Sequence, residues 1–199
     1  KKLGVERVGI ALDGATEEMF DEIKGFKVKG PYSWEGHFQA LNEALEIFGK
    51  GLVSTHLIVG LGETEEEMCR QIAHLNEMGV QVGLFAFTPI EGTKLEDLQP
   101  PELLKFRKMQ LARHFIMEQG KTIKDFTFNL QGRLINVHIN PMELRDIVEE
   151  GTAFLTTGCP GCNRPYYTSR PSGPMYNYPR DITSPEKEEI FQLLKQIVR

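Results

Sequence analysis

The chain has 199 residues, enough for one large domain or two small ones, and 40% of them are hydrophobic, enough for a buried core. Its net charge of −5 argues against a nucleic-acid surface, and no apolar run approaches the roughly 20 residues that a bilayer-spanning helix needs. Three cysteines do not make a disulfide scaffold, and with no visible signal peptide the sequence suits a reducing, cytoplasmic setting. It opens Lys1-Lys2 without methionine, as the tail of a longer protein or a trimmed chain would.

Residues 5–13, Val-Glu-Arg-Val-Gly-Ile-Ala-Leu-Asp, predict a first strand that Gly14 turns. Thr16 can cap a short helix over residues 17–24, and a polar loop leads to Ser33, the cap of a helix over 34–48. There Phe38, Leu41, Ala44, Leu45 and Phe48 recur at helical spacing until Gly49 and Gly51. A β-branched run over 53–59 predicts the second strand. After Gly60-Leu61-Gly62 comes a helix over 65–78, with Thr64 as N-cap and Glu67 closing a capping box. Residues 80–88 predict a third strand, and Pro101 opens a long helix that Gly120 closes. The order β-α-β-α-β-α over residues 1–120 is that of parallel strands with helical crossovers.

Residues 121–199 change character. Short strands are predicted over 125–130 and 134–139, around Gln131-Gly132, then a helix over 142–149 behind Asn140-Pro141, with Glu143 at the capping-box position. Residues 151–184 read as a loop rich in Gly, Pro, Ser and Tyr, a length that usually carries function. Ser184-Pro185 starts a final amphipathic helix with Ile190, Phe191, Leu194 and Ile197 on one face.

The turn after the second strand lies where such folds bind ligands, beyond the carboxyl end of a strand. Phosphate is a poor match, because Glu63, Glu65, Glu66 and Glu67 crowd the helix start and Glu65 stands at the third glycine of a dinucleotide fingerprint. A cationic group could be welcomed there. Glu65, Glu66 and Glu67 also complement the helix dipole without any ligand, whereas Glu63 sits in the turn itself.

Cys159-Pro160-Gly161-Cys162 places two thiols three positions apart in a Gly/Pro turn. The pair can ligate a metal ion or iron–sulfur cluster, act as redox thiols, or simply form a turn. A closed zinc site needs four ligands; no second CxxC exists, and Cys69 and five histidines are the other conventional candidates. Cys69 reads as a packed helical residue and His56 as a core histidine on a strand. His37, His74 and His114 read as surface or boundary residues, and His138 is undetermined. Asp13, at the end of the first strand, can accept from two sugar hydroxyls or an amine, or form an Asx-turn that caps the helix. Thr88-Pro89 ends the third strand at the same presumed edge, where backbone and side chains are equally placed to matter.

Together these segments resemble the radical SAM superfamily, most closely its biotin and lipoyl synthase branch. Ile58-Val59-Gly60-Leu61-Gly62-Glu63 is similar to the GxIxGxxE element of the fifth strand, with His56 in place of the first glycine. Residues 84–93 resemble the sixth-strand segment, residues 8–13 the fourth strand, and residues 158–167 with 176–180 the tail of proteins often labelled biotin synthase, some of which act as half of a two-component lipoyl synthase.

The resemblance implies the C-terminal half of a partial (β/α)6 TIM-type barrel over 1–120, and an irregular extension with a CxxC loop over 121–199. It implies S-adenosylmethionine and a 4Fe–4S cluster that cleaves it reductively to a 5′-deoxyadenosyl radical, which takes hydrogen from an unactivated carbon, and an auxiliary iron–sulfur cluster that gives sulfur to that carbon. By resemblance Asp13 holds the ribose, Ile58 packs near the adenine, the Gly60–Glu63 turn stabilises that wall, and the backbone of Phe87, Thr88, Pro89 and Ile90 receives the adenine edge. Cys159 and Cys162 would be two auxiliary-cluster ligands.

The CxxxCxxC loop of the SAM-cleaving cluster is absent from this sequence, so the chain alone is expected to be inactive. Its three strands leave an open edge that an N-terminal half of the barrel is expected to cover. Expected partners are a small-molecule or lipoyl-domain-bound acyl substrate and a partner radical SAM protein, without nucleic acid or membrane. The alternatives are a radical SAM reaction of another type, such as cofactor maturation or carbon-skeleton rearrangement, or a zinc-binding interaction module.

Overall fold

The computed structural model describes residues 1–158, 169 and 173–198. Its elements in chain order are β1 (Val8–Gly9), α1 (Glu17–Ile23), α2 (Trp34–Phe48), β2 (Val53–Val59), α3 (Glu65–Met78), β3 (Gln81–Ala86), α4 (Leu103–Glu118), β4 (Thr127–Phe128), β5 (Leu134–Asn136), α5 (Pro141–Glu150) and α6 (Ser184–Leu194), with short 3-10 turns between some of them. The sheet order is β1-β2-β3 and both pairings are parallel; β4 and β5 form a separate antiparallel hairpin. This is an α/β fold whose three-stranded parallel sheet is consistent with a partial, open (β/α)-type barrel, followed by a helical extension.

The predicted first strand is interrupted. Val8 pairs with Val53 and Asp13 with Leu57, so five steps on the first segment match four on β2. The extra residue is accommodated because the Leu12 amide donates to the buried Thr55 hydroxyl (3.0 Å) rather than to a backbone carbonyl. The hairpin strands are also shorter than predicted, because residues 123–125 wind into a 3-10 turn closed by Asp125 and Thr122.

Alternation sets the two faces of the sheet. Val53, Thr55, Leu57 and Val59 of β2, and Val82, Leu84 and Ala86 of β3, are buried, and the residues between them are half-buried apart from the exposed Gln81. Each fully buried Val or Leu contributes about 1.5–3 kcal/mol. Parallel sheets are normally covered on both faces; the face bearing Ser54, His56, Ile58, Gly83 and Phe85 is only partly covered.

The long helix α4 is buried all round over residues 106–116. It packs against α3 and β3 and against the extension. Its polar residues are therefore tied to specific acceptors. Arg107 donates to the carbonyls of Met175 (2.6 Å) and Tyr176, Gln110 to the Tyr176 carbonyl (3.1 Å) and Asn177, and Lys108 to the Leu134 carbonyl (2.8 Å). His114, read as a surface or boundary residue, is buried here beside Gln119.

Candidate ligand site at the strand ends

The three parallel strands end on one side of the molecule. The Asp13 amide donates to His56 O (2.9 Å), the Asp13 carbonyl accepts from the Ile58 amide (2.8 Å), and the Phe87 amide donates to Val59 O (2.9 Å). These bonds bring Asp13, Ile58, Gly60 and Phe87 to a common edge, from which Thr88, Pro89 and Ile90 continue. Phe87 is buried, Ile58, Thr88 and Pro89 are half-buried, and Ile90 is exposed.

Asp13 adopts φ 65°, the left-handed region that aspartate tolerates better than most residues. Its Oδ2 accepts from Lys24 Nζ at 2.8 Å, and Lys24 also donates to the Ala11 carbonyl. The cap of α1 is Thr16, whose hydroxyl accepts from the Met19 amide, so Asp13 does not serve as the helix cap. The Asp13–Lys24 pair is neutral overall and leaves Oδ1 without a hydrogen bond among the described residues. Hydroxyl donors suit such an acceptor better than an amine.

Glu63 turns inward. Its side chain is fully buried, Oε1 accepts from the Gly60 amide (2.9 Å) and Oε2 from the Leu61 amide (2.8 Å). Lys105 Nζ lies 2.7 Å from Oε1 and donates to the Glu63 carbonyl (2.7 Å). Gly60 stands at φ 105°, and a Cβ there would meet Pro101 Cδ at 2.9 Å and Phe87 Cβ at 3.3 Å, so the turn sits tightly against the end of the third strand and the chain that enters α4.

The acidic rim expected to welcome a cation is largely neutralised from within. Glu65 accepts from the Leu134 amide (2.6 Å) and pairs with Lys108 (3.3 Å); Glu66 pairs with Arg70 (2.6 Å); Glu67 closes the capping box with Thr64. The Glu66 amide, near the start of α3, donates to the Gly132 carbonyl of the hairpin turn (2.9 Å). Phosphate is thus disfavoured at this helix start because the Glu66 and Glu67 amides already have acceptors.

The predicted ligand pair Cys159 and Cys162 lies outside the described residues. Among the described residues there is no group of three or more His, Cys, Asp and Glu side chains that could hold a metal ion. Cys69 is fully buried in α3, and burial raises its thiol pKa, which keeps it protonated and unsuited to ligation. His56 packs its ring on Phe85 (4.4 Å between centroids), and burial lowers its pKa. His138 is exposed, stands at φ 50° and lies 2.7 Å from the Thr127 hydroxyl.

Sequence reasoning missed the side chains that close the outer edge of β3. Arg113 Nε donates to Val82 O, and Asn177 Nδ2 to Leu84 O (2.9 Å). Neither position carries a local signal, because the partners are distant in sequence. The opposite edge differs: Val8 and Ile10 bond to β2, so the Gly9 main chain between them faces outward and makes no hydrogen bond among the described residues.

No helix among the described residues is long and apolar enough to cross a membrane. No protein-family model and no solved structure matches the chain. The chain is similar to the ribosomal protein uS12 methylthiotransferase RimO of Thermus thermophilus, with 34% identity over 89 residues, which is 42% of this chain and 20% of that protein. It therefore spans about one fifth of the length of the relative it matches.

Proposed function

We propose that this chain is the C-terminal portion of a radical SAM enzyme of the biotin and lipoyl synthase type, inserting sulfur at an unactivated carbon. The observation that carries the reading is the shared edge: parallel strands deliver Asp13, Ile58, Gly60 and Phe87 to one side, with an acceptor and an apolar wall a few residues apart in register. The similarity to a methylthiotransferase supports it, since that name denotes transfer of a sulfur-bearing group.

The residues of the edge fit an adenosyl nucleoside. Asp13 Oδ1 accepts from ribose hydroxyls while Oδ2 stays with Lys24. Ile58 packs against the adenine, the main chain of Phe87, Thr88, Pro89 and Ile90 meets the adenine edge, and Glu63 keeps the Gly60 turn closed behind it. A 4Fe–4S cluster held outside this chain would supply the reducing electron, and an auxiliary iron–sulfur cluster the sulfur. By the resemblance, the chain's own part in cluster binding falls to Cys159 and Cys162. Residues 1–120 then serve the nucleoside, residues 121–199 the auxiliary cluster and a small-molecule or lipoyl-domain-bound acyl substrate. The outward Gly9 main chain is where the N-terminal half of the barrel continues the sheet, whether in the same polypeptide or in a partner radical SAM protein.

Anaerobic reconstitution with iron and sulfide tests this. A brown chromophore on the full chain that disappears in the Cys159→Ala, Cys162→Ala double variant supports the reading. Stoichiometric colourless zinc, with no chromophore, would favour an interaction module instead.

A further inference from the structure

A cavity of about 460 Å³ opens on the half-buried face of the sheet, toward the amino ends of the strands and away from Asp13 and Phe87. Its volume lies within the range of small-molecule sites, roughly 300–1,000 Å³. Arg7 and Gln81 line its lower end, His56 and Phe85 one wall, and Thr157 and Arg113 the side facing the extension. None of the described lining residues is acidic, on a chain of net charge −5. Two arginines therefore line it without a carboxylate among the described lining residues.

Arg113 is the sharper of the two. It is 9% exposed, its Nε is fixed on the Val82 carbonyl, and its nearest carboxylate oxygen, on the exposed Glu118, is 3.7 Å from Nη1. Nη2 makes no hydrogen bond among the described residues. A buried guanidinium with one neutral acceptor and one distant carboxylate is incompletely compensated. Its planar fork matches carboxylate or phosphate oxygens in pairs. Arg7 is held from the rim by a bond to the Gly51 carbonyl (3.3 Å).

The remaining wall is apolar and shaped. The His56 ring lies on Phe85, and a desolvated imidazole is neutral at pH 7. Gly83 forms the floor: a Cβ there would come within 3.2 Å of His56 Cδ2 and 3.4 Å of the Thr157 hydroxyl. The missing side chain keeps that part of the cavity open.

We propose that this cavity binds a small organic anion, its charged head on Arg113 and Arg7 and its apolar body against His56 and Phe85. The inference stands apart from the reading of the strand ends and does not require it.

The test is isothermal titration of the full chain with hexanoate, hexyl phosphate and uncharged hexanamide. The expected result is binding of one or both anions, with hexanamide weaker by about tenfold or more, the scale of a charge-assisted pair. Carboxylate or phosphate preference then identifies the head group. Arg113→Gln should weaken the anion about tenfold. Because that change also frees the Val82 carbonyl, Arg7→Gln and Gly83→Ala serve as variants outside the packed helix, and each should weaken binding severalfold while the thermal unfolding of the free chain is retained. Equal affinity for hexanamide and the tighter-binding anion, no measurable anion binding to the unsubstituted chain, or unchanged affinity in Arg7→Gln and Gly83→Ala would overturn the proposal.

Discussion

The carboxylate of Asp13 and the ammonium of Lys24 meet at 2.8 Å at the end of the first strand segment, in a backbone conformation, φ 65°, that few side chains tolerate. The pair fixes an acceptor at the strand ends while cancelling its charge. Charge and backbone can be separated by substitution. Asp13→Asn keeps a residue suited to the left-handed region and should cost less than about 1 kcal/mol, whereas Asp13→Ala should cost about 1 kcal/mol more than Asn through strain. Urea unfolding of both variants measures the difference.

Glu63 links two amides of its own turn to Lys105. Glu63→Gln retains only one carbonyl oxygen and no charge for the ammonium, so one half-buried amide loses its acceptor and the half-buried Lys105 keeps only the Glu63 carbonyl. The expected loss is about 1–3 kcal/mol. A loss below about 0.5 kcal/mol would mean that the turn is held by its glycines alone.

Arg107 should be among the most sensitive positions. It is 1% exposed, reaches the Met175 and Tyr176 carbonyls and lies over the Tyr178 ring (5.0 Å). Arg107→Met leaves the Met175 carbonyl unpaired and the Tyr176 carbonyl to Gln110 alone and should cost about 2–3 kcal/mol, and Arg107→Lys should recover only part of it because a compact ammonium reproduces neither the widely set donors nor the planar face over Tyr178. Thermal unfolding of the two variants tests the ranking.

Stability should fall on mild acidification. Burial lowers the pKa of His37, His56 and His114. In the unfolded chain these imidazoles take up protons near their ordinary pKa of about 6.5, whereas the folded chain takes them up only at lower pH. The unfolded state therefore binds more protons through this window, and folding weakens as pH drops below it. Glu186, held at about 2 by Arg180 and the Thr183 cap, adds stability that persists above its ordinary value and is lost only as pH falls below it toward 2. Unfolding midpoints from pH 7.5 to 5 should decline, and His56→Gln should flatten the slope.

Local chemistry was readable in the sequence and long-range partnership was not. Thr64 with Glu67 and Asn140 with Glu143 announce their helices because cap and partner lie three residues apart, and both capping boxes are present. The β-α alternation announced a parallel sheet for the same reason. Glu63 and Glu65 read as a rim open to cations because Lys105, Lys108 and the Leu134 amide, 42 to 69 residues away, leave no mark near them. The break in the first strand depends on one hydroxyl, Thr55, which looks like any β-branched residue of a strand. Helix α4 gives no clear stripe because it is buried on every side, so the roles of Arg107 and Arg113 emerge only with their acceptors in view. Of the candidate site, the strand ends could be assembled from sequence; the cavity at their opposite ends could not.

The most direct test of the account is titration of the full chain with S-adenosylmethionine and, separately, with ATP. The account predicts that S-adenosylmethionine binds more tightly than ATP, and that Asp13→Asn, which keeps the backbone, weakens it about tenfold, as for loss of a charge-assisted acceptor. Tighter binding of ATP, or an affinity for S-adenosylmethionine unchanged by Asp13→Asn, would contradict it.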